Sequence, residues 1–280
     1  MRKRSKARTF VSYLFLILLA YIMIYPLLWM LGAAFKTNAE IFGTISLLPK
    51  EPVYNAWADG WRGSGQYTFG RFLANSFLMV IPTVLFTVVS SVLVGYGFAR
   101  FRFPFKKLLF MLMLSTMMLP GTVVIIPRYI FFRKLGWLDS YLPFIVPAAL
   151  ATYTFFNFMT VQFFRGLPLE LDESAKLDGC GSFLILTRIL LPLCTSMIFS
   201  IIVFQFVWRW NDFLNVLIYI SSVAKYPVAL GLRMTMDIST DFDWNRIMAM
   251  SIISILPPVL VFFSAQQYFV QGIATTGMKD

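Results

Sequence analysis

Glu173-Ser174-Ala175-Lys176-Leu177-Asp178-Gly179, followed after nine residues by Ile189-Leu190-Leu191-Pro192, breaks into two long apolar runs of this chain of 280 residues. Pro168 suits the first turn of a helix, and Glu170, Asp172 and Glu173 gather where the helix dipole is positive. Gly179 can take the left-handed backbone that ends a helix. Ser182 is placed to cap a second helix over 183–190 that stops near Pro192. The sequence therefore predicts a helix, a turn and a second short helix, a polar device set into a membrane protein.

Composition supports the membrane. Hydrophobic residues make up 59% of the chain and charged residues 13%, against roughly 45–50% and about 25% in soluble domains. The net charge of +11 sits in short segments beside apolar runs and forms no basic stripe, the pattern of membrane topology rather than of nucleic-acid binding. The chain has no histidine, which removes His-based general-base chemistry and most zinc sites, so no metal site is expected. Cys180 and Cys194 form no C-x-x-C pair and read as small packing residues kept reduced in the cytoplasm. No G-x-x-x-x-G-K-[ST] occurs and no Lys follows a Gly, so the chain has no phosphate cradle of its own and no catalytic motif.

Apolar runs predict an all-α integral membrane fold with about six transmembrane helices in a single domain, 1–280. The spans read as 10–34, 73–99, 108–127, 141–164, 193–220 and 247–270, each about long enough for a hydrocarbon core of roughly 30 Å. Pro26, Pro82, Pro120, Pro147, Pro257 and Pro258 lie in or beside them and make local bends plausible. Arg2, Lys3, Arg4, Lys6 and Arg8 precede the first span, and Arg100, Arg102, Lys106 and Lys107 follow the second. Positive charge marks the cytoplasmic side. Both termini and the loop 165–192 are therefore expected in the cytoplasm, and the polar segment 36–71 outside.

The loop resembles the EAA loop of the membrane subunits of binding-protein-dependent ATP-binding-cassette importers. The match runs through Glu173, Ala175, Gly179, Ile189, Leu191 and Pro192, with Ser174 where Ala is usual. Similarity to the smaller maltose-type membrane subunit extends further. It includes Phe35-Lys36-Thr37, Asn75-Ser76, Tyr96-Gly97-Phe98-Ala99-Arg100, Pro120, Ile126-Pro127 and Trp210-Asn211-Asp212-Phe213-Leu214. The tail from Gln271 to Lys279 is similar to the family's glycine-containing ending, although Gly272 and Gly277 are more widely spaced here. The resemblance implies the type I importer membrane domain of a bacterial cytoplasmic (inner) membrane. In it, 165–192 is a coupling loop that docks on a cytoplasmic ATPase. Glu173, Ser174 and Ala175 would lie at that contact, Gly179 would set the bend, and Asp178 would be a polar neighbour. The implied partners are a homologous second permease subunit, two ATPase subunits that bind ATP and Mg, an extracytoplasmic solute-binding protein and a carbohydrate.

Polar groups within the spans are candidate substrate contacts: Gln205, Trp210, Asn211, Asn215 and Asn157. An unpaired charge at mid-bilayer costs about 2.5–3.5 kcal/mol or more, and Arg209 and Asp212, three apart on a helix, can pair to relieve it. Two readings of this segment stand, a structural ion pair with interfacial tryptophans or a sugar path. Two other functions also stand beside the oligosaccharide importer. One is an ion-driven secondary transporter, although Asp212 is the only acid well inside a span. The other is an importer of sugar-phosphate or glycerol-phosphate esters.

Overall fold

The computed structural model describes residues 6–63, 66–237 and 243–276. Arg2, Lys3, Arg4 and the tail from Gly277 to Lys279 lie outside the described residues. In chain order the helices are α1 (Lys6–Ala33), α2 (Asn38–Gly43), α3 (Asn55–Arg62), α4 (Phe69–Arg100), α5 (Lys106–Met117) and α6 (Gly121–Lys134). They continue with α7 (Leu142–Ala149), α8 (Thr154–Arg165), α9 (Glu170–Leu177) and α10 (Ser182–Leu184). A π-helical turn (Ile185–Leu190) leads to α11 (Leu191–Leu193), α12 (Thr195–Trp210), α13 (Leu214–Tyr219), α14 (Val228–Asp237) and α15 (Trp244–Thr276).

Among the described residues, four stretches are long and apolar enough to cross a membrane, Thr9–Ala33, Phe69–Arg100, Leu142–Arg165 and Trp244–Tyr268, and two bent pairs bring the number to six if each is one span. The bent pairs correct the expected spans. Within 108–127, α5 and α6 meet at 103°, because Pro120 lacks an N–H and pushes the residue before it out of helical conformation. Within 193–220, Ser182–Leu193 and Thr195–Trp210 meet at 79°, and α12 ends at Trp210 before the separate α13. The helix expected over 183–190 is also different. Ser182 makes no side-chain cap, and the turn widens so that Leu191 N–H bonds the Leu186 carbonyl five residues back. Pro192 then stands at the start of α11, where no N–H is required, and the break falls at Cys194 instead.

Contacts divide the chain into two compact units. The first comprises Met1–Gly70 and Leu232–Ile255. Its α1 is exposed along nearly its whole length, with none of its most apolar window buried. Beyond α1, the chain turns on Lys36, which is fully buried and donates from Nζ to the Ser46 carbonyl. Phe42 meets Trp244 edge-on at 5.5 Å, and Trp244 N–H donates to Asn38 Oδ1 at 2.9 Å.

The second unit comprises Arg71–Gly231 and Leu256–Asp280. Its core gathers Val92 and Tyr96 of α4, Phe156 and Phe164 of α8, Ala175 of α9, Ile185, Leu186 and Leu190 of the π turn, and Met197 and Ile201 of α12. Several polar groups inside are tied to backbone: Thr83 and Thr87 hydroxyls bond carbonyls four residues back, and Ser90 Oγ reaches the Ala148 carbonyl at 2.7 Å. The bond between α7 and α8 is a kink with Ala151 at φ 56°.

Between α6 and α7, Asp139 binds the segment after α13. Its carboxylate accepts from Ser222 Oγ, Ser221 and Ser222 N–H and the Lys225 ammonium. Burial opposes its charge, but these donors outweigh burial and hold the carboxyl well below the usual carboxylate range. A depressed folded-state pKa stabilises the protein above the unfolded value of about 3.9 and loses that contribution as pH falls through the folded value. Asp139→Asn is therefore expected to lower the melting temperature at pH 7. The gap from wild type should close only below about pH 4. Parallel melting curves at all pH values would contradict this.

Candidate functional site

The loop after α8 is built outward from α4. Arg100, the last residue of α4, lies with its Nε 3.0 Å from Asp172 Oδ2, and both side chains are more than nine-tenths buried. The approach is an ion pair rather than an aligned hydrogen bond. A second guanidinium nitrogen donates to the Leu167 carbonyl at 3.1 Å and reaches the Pro168 carbonyl at 3.4 Å. One turn back on α4, Tyr96 donates its hydroxyl to the Ser182 carbonyl at 3.1 Å. The cytoplasm-expected end of α4 thus grips both sides of the loop, before and after α9. Sequence reading named Arg100 and Asp172 singly and missed their pairing.

α9 ends as a Schellman motif. Gly179, at φ 81°, donates to the Lys176 carbonyl, and Cys180 N–H donates to the Ala175 carbonyl at 2.9 Å. No atom lies within 4 Å of where a Gly179 Cβ would stand, so the need for glycine is conformational and not steric. The face of α9 divides by period. Asp172 and Ala175, three residues apart, point inward and are buried, while Glu173, Ser174, Lys176, Leu177 and Asp178 are exposed. This corrects the placement of Ala175, which seats the helix on the core beside Cys180 and Phe164. Leu177 is 90% exposed and Phe183 is 74% exposed, so the outer surface has apolar points among its charges.

The span-five candidates separate. Gln205 is fully buried and its amide nitrogen donates to Thr87 Oγ1 at 3.0 Å. Trp210 is buried and stacks on Phe206 at 5.3 Å. Asn157 is buried and donates to the Ala151 carbonyl, holding the α7–α8 kink. Asn211 is exposed and donates to the Val207 carbonyl of its own helix. Asn215 alone of the five lines a cavity of about 460 Å³ between α6, α7 and α13. It donates to both oxygens of Asp212, whose carboxylate also pairs with Arg209 at 2.6 Å. Arg209 lies over the Tyr153 ring at 5.2 Å, and Arg128 and Tyr219 share the cavity wall. Sequence reading ends the third span at Pro127 and leaves Arg128 on the outer side, in no site.

A polar loop clamped to bent membrane helices is the arrangement of an importer's membrane subunit. Residues 91–275 match the family described as the binding-protein-dependent transport system inner membrane component, and the chain belongs to that family. It is a membrane-spanning permease subunit of an ATP-binding-cassette importer. Among its relatives, the sn-glycerol-3-phosphate transport system permease protein UgpE of Yersinia pestis is 32% identical over 267 residues, covering 93% of this chain and 94% of that one. UgpE of Agrobacterium fabrum is 31% identical over 273 residues, with 95% and 96% covered. In fold, the chain is similar to a chain of a bacterial ABC transporter that imports the acidic polysaccharide alginate, with a TM-score of 0.81, 20% identity, and 96% and 100% covered. Family membership sets aside the ion-driven alternative.

Proposed function

We propose that this subunit carries a carbohydrate handed over by an extracytoplasmic binding protein. It would pair with a homologous second permease subunit, and two cytoplasmic ATPase subunits, holding ATP and Mg, would drive it. Both termini would be cytoplasmic, in the bacterial inner membrane, and the chain would catalyse no reaction itself. The observation that carries the coupling is α9: its inner face is fixed by Arg100 and the core, while Glu173, Ser174, Leu177 and Asp178 stand free on the other. A helix held on one face and bare on the other can pass a push to α4 without bending.

Gly179→Val tests this. The left-handed backbone becomes strained by about 1 kcal/mol or more, but the space is open, so the protein should still insert and melt almost as wild type. Transport coupled to ATP hydrolysis should fall severely, and ATPase co-purification should drop. Normal transport with a full ATPase complement would remove the assignment.

A second reading narrows the cargo to a phosphate ester of a sugar or glycerol. The names of the UgpE relatives favour it, as does the arginine-bearing cavity.

A further inference from the structure

We infer that the cavity between α6, α7 and α13 is an anion subsite of this subunit, taking the phosphate or carboxylate of a small polyol-type cargo. The inference rests on the importer reading above and adds where the charge of the cargo is met.

Three donors on its wall lack an acceptor. Arg128 stands on α6, within the bent pair Lys106–Met117 and Gly121–Lys134, is exposed, and makes no hydrogen bond or ion pair among the described residues. Tyr219 is only 4% exposed, yet its hydroxyl has no partner. Arg209 Nε is likewise buried and unpartnered. A buried donor left unsatisfied is costly, which applies to Tyr219 and to Arg209 Nε, while the exposed Arg128 is free to meet an incoming anion. Asp212 neutralises Arg209, so Arg128 leaves one uncompensated positive charge. The remaining wall is aromatic, with Trp137 and Tyr153 among others, and rings of this kind pack against the carbon faces of a polyol. The volume of about 460 Å³ is that of a small-ligand site.

Phosphate chemistry has two sources here, a cargo or a lipid headgroup, and the test separates them. The full chain in phosphatidylcholine nanodiscs is melted at constant ionic strength with inorganic phosphate, sn-glycerol 3-phosphate or glycerol. The two phosphates should raise the melting temperature saturably, and glycerol should not. Arg128→Gln should raise the half-saturating concentration about tenfold, the loss of one charged hydrogen bond, with Arg128→Lys between. Should Arg128→Gln fail to fold, Tyr219→Phe removes a single hydroxyl and is expected to weaken binding severalfold. Saturation unchanged in these variants, or an equal response to glycerol, would overturn the subsite. So would phosphatidylglycerol that co-purifies only when Arg128 is present and blocks the glycerol 3-phosphate response, since the occupant would then be lipid. Binding-protein-stimulated ATP hydrolysis by the assembled importer keeps the two inferences apart. If a neutral sugar stimulates hydrolysis while no anion binds, the subsite alone falls; if neither sugar nor sugar phosphate stimulates it, the carbohydrate-cargo reading falls.

Discussion

Asp172→Ala is expected to destabilise the subunit by about 3–5 kcal/mol, the cost of leaving one partner of a buried ion pair without the other. Arg100 would keep its contacts to the Leu167 and Pro168 carbonyls, which places the effect toward the lower end. The consequence should not be confined to stability. Asp172 is the charged point through which α9 is held to α4, so transport should fall further than the melting temperature alone explains. Replacing both residues by leucine is expected to recover most of the stability, since apolar side chains in place of a buried pair are often neutral or better. Coupling should remain poor in that double variant, because a greasy contact lacks the fixed geometry of the pair. Thermal melting and ATP-driven uptake together check this. An Asp172→Ala protein that melts and transports as wild type would refute the clamp.

Gly95→Leu is expected to prevent the second unit from assembling. A Cβ at Gly95 would stand 2.4 Å from Thr160 Cγ2, 2.6 Å from Thr160 Cβ and 3.1 Å from its carbonyl carbon. Helices in membranes use small residues to bring backbones together, and Thr160 is fully buried at this crossing. Even Gly95→Ala should cost about 1–3 kcal/mol from overpacking. Thr160→Ala added to it removes the Cγ2 contact but leaves Cβ in place, so it should restore part of the loss and no more. Protease resistance and yield in detergent measure both. Full rescue by Thr160→Ala would mean that α4 and α8 move apart easily and that the contact does not fix them.

The sequence made the loop legible because it is written in local chemistry. Acids at a helix start and a glycine at its end act within a few residues, and the Schellman turn at Gly179 stands where they point. The helical period could also have shown that Asp172 and Ala175 share a face; the resemblance alone put Ala175 at the outer contact, whereas it is buried here. The Arg100–Asp172 pair was illegible for a different reason. Its members belong to separate segments, and nothing local to either announces the other. The bends have the same character, since Pro120 permits a kink but does not by itself announce an angle of 103°. In span five, polarity showed only that each group needs a partner. Gln205 finds Thr87, Asn157 a kink carbonyl and Asn215 a carboxylate, whereas Arg128 finds none among the described residues.

The bareness of α1 bears on how the protein is made. Its backbone bonds are closed within the helix, and few of its side chains rely on later residues, Tyr25 with its bond to the Ile45 carbonyl among them. A ribosome that has released α1 has already delivered a helix long and apolar enough to cross a membrane. The roughly 250 residues that follow (roughly 10–50 s of synthesis at bacterial-type rates) are then born tethered to the surface on which they must fold. Timing thus joins geometry: of the four single-helix candidate spans among the described residues, the one with the least of its window buried precedes the other three.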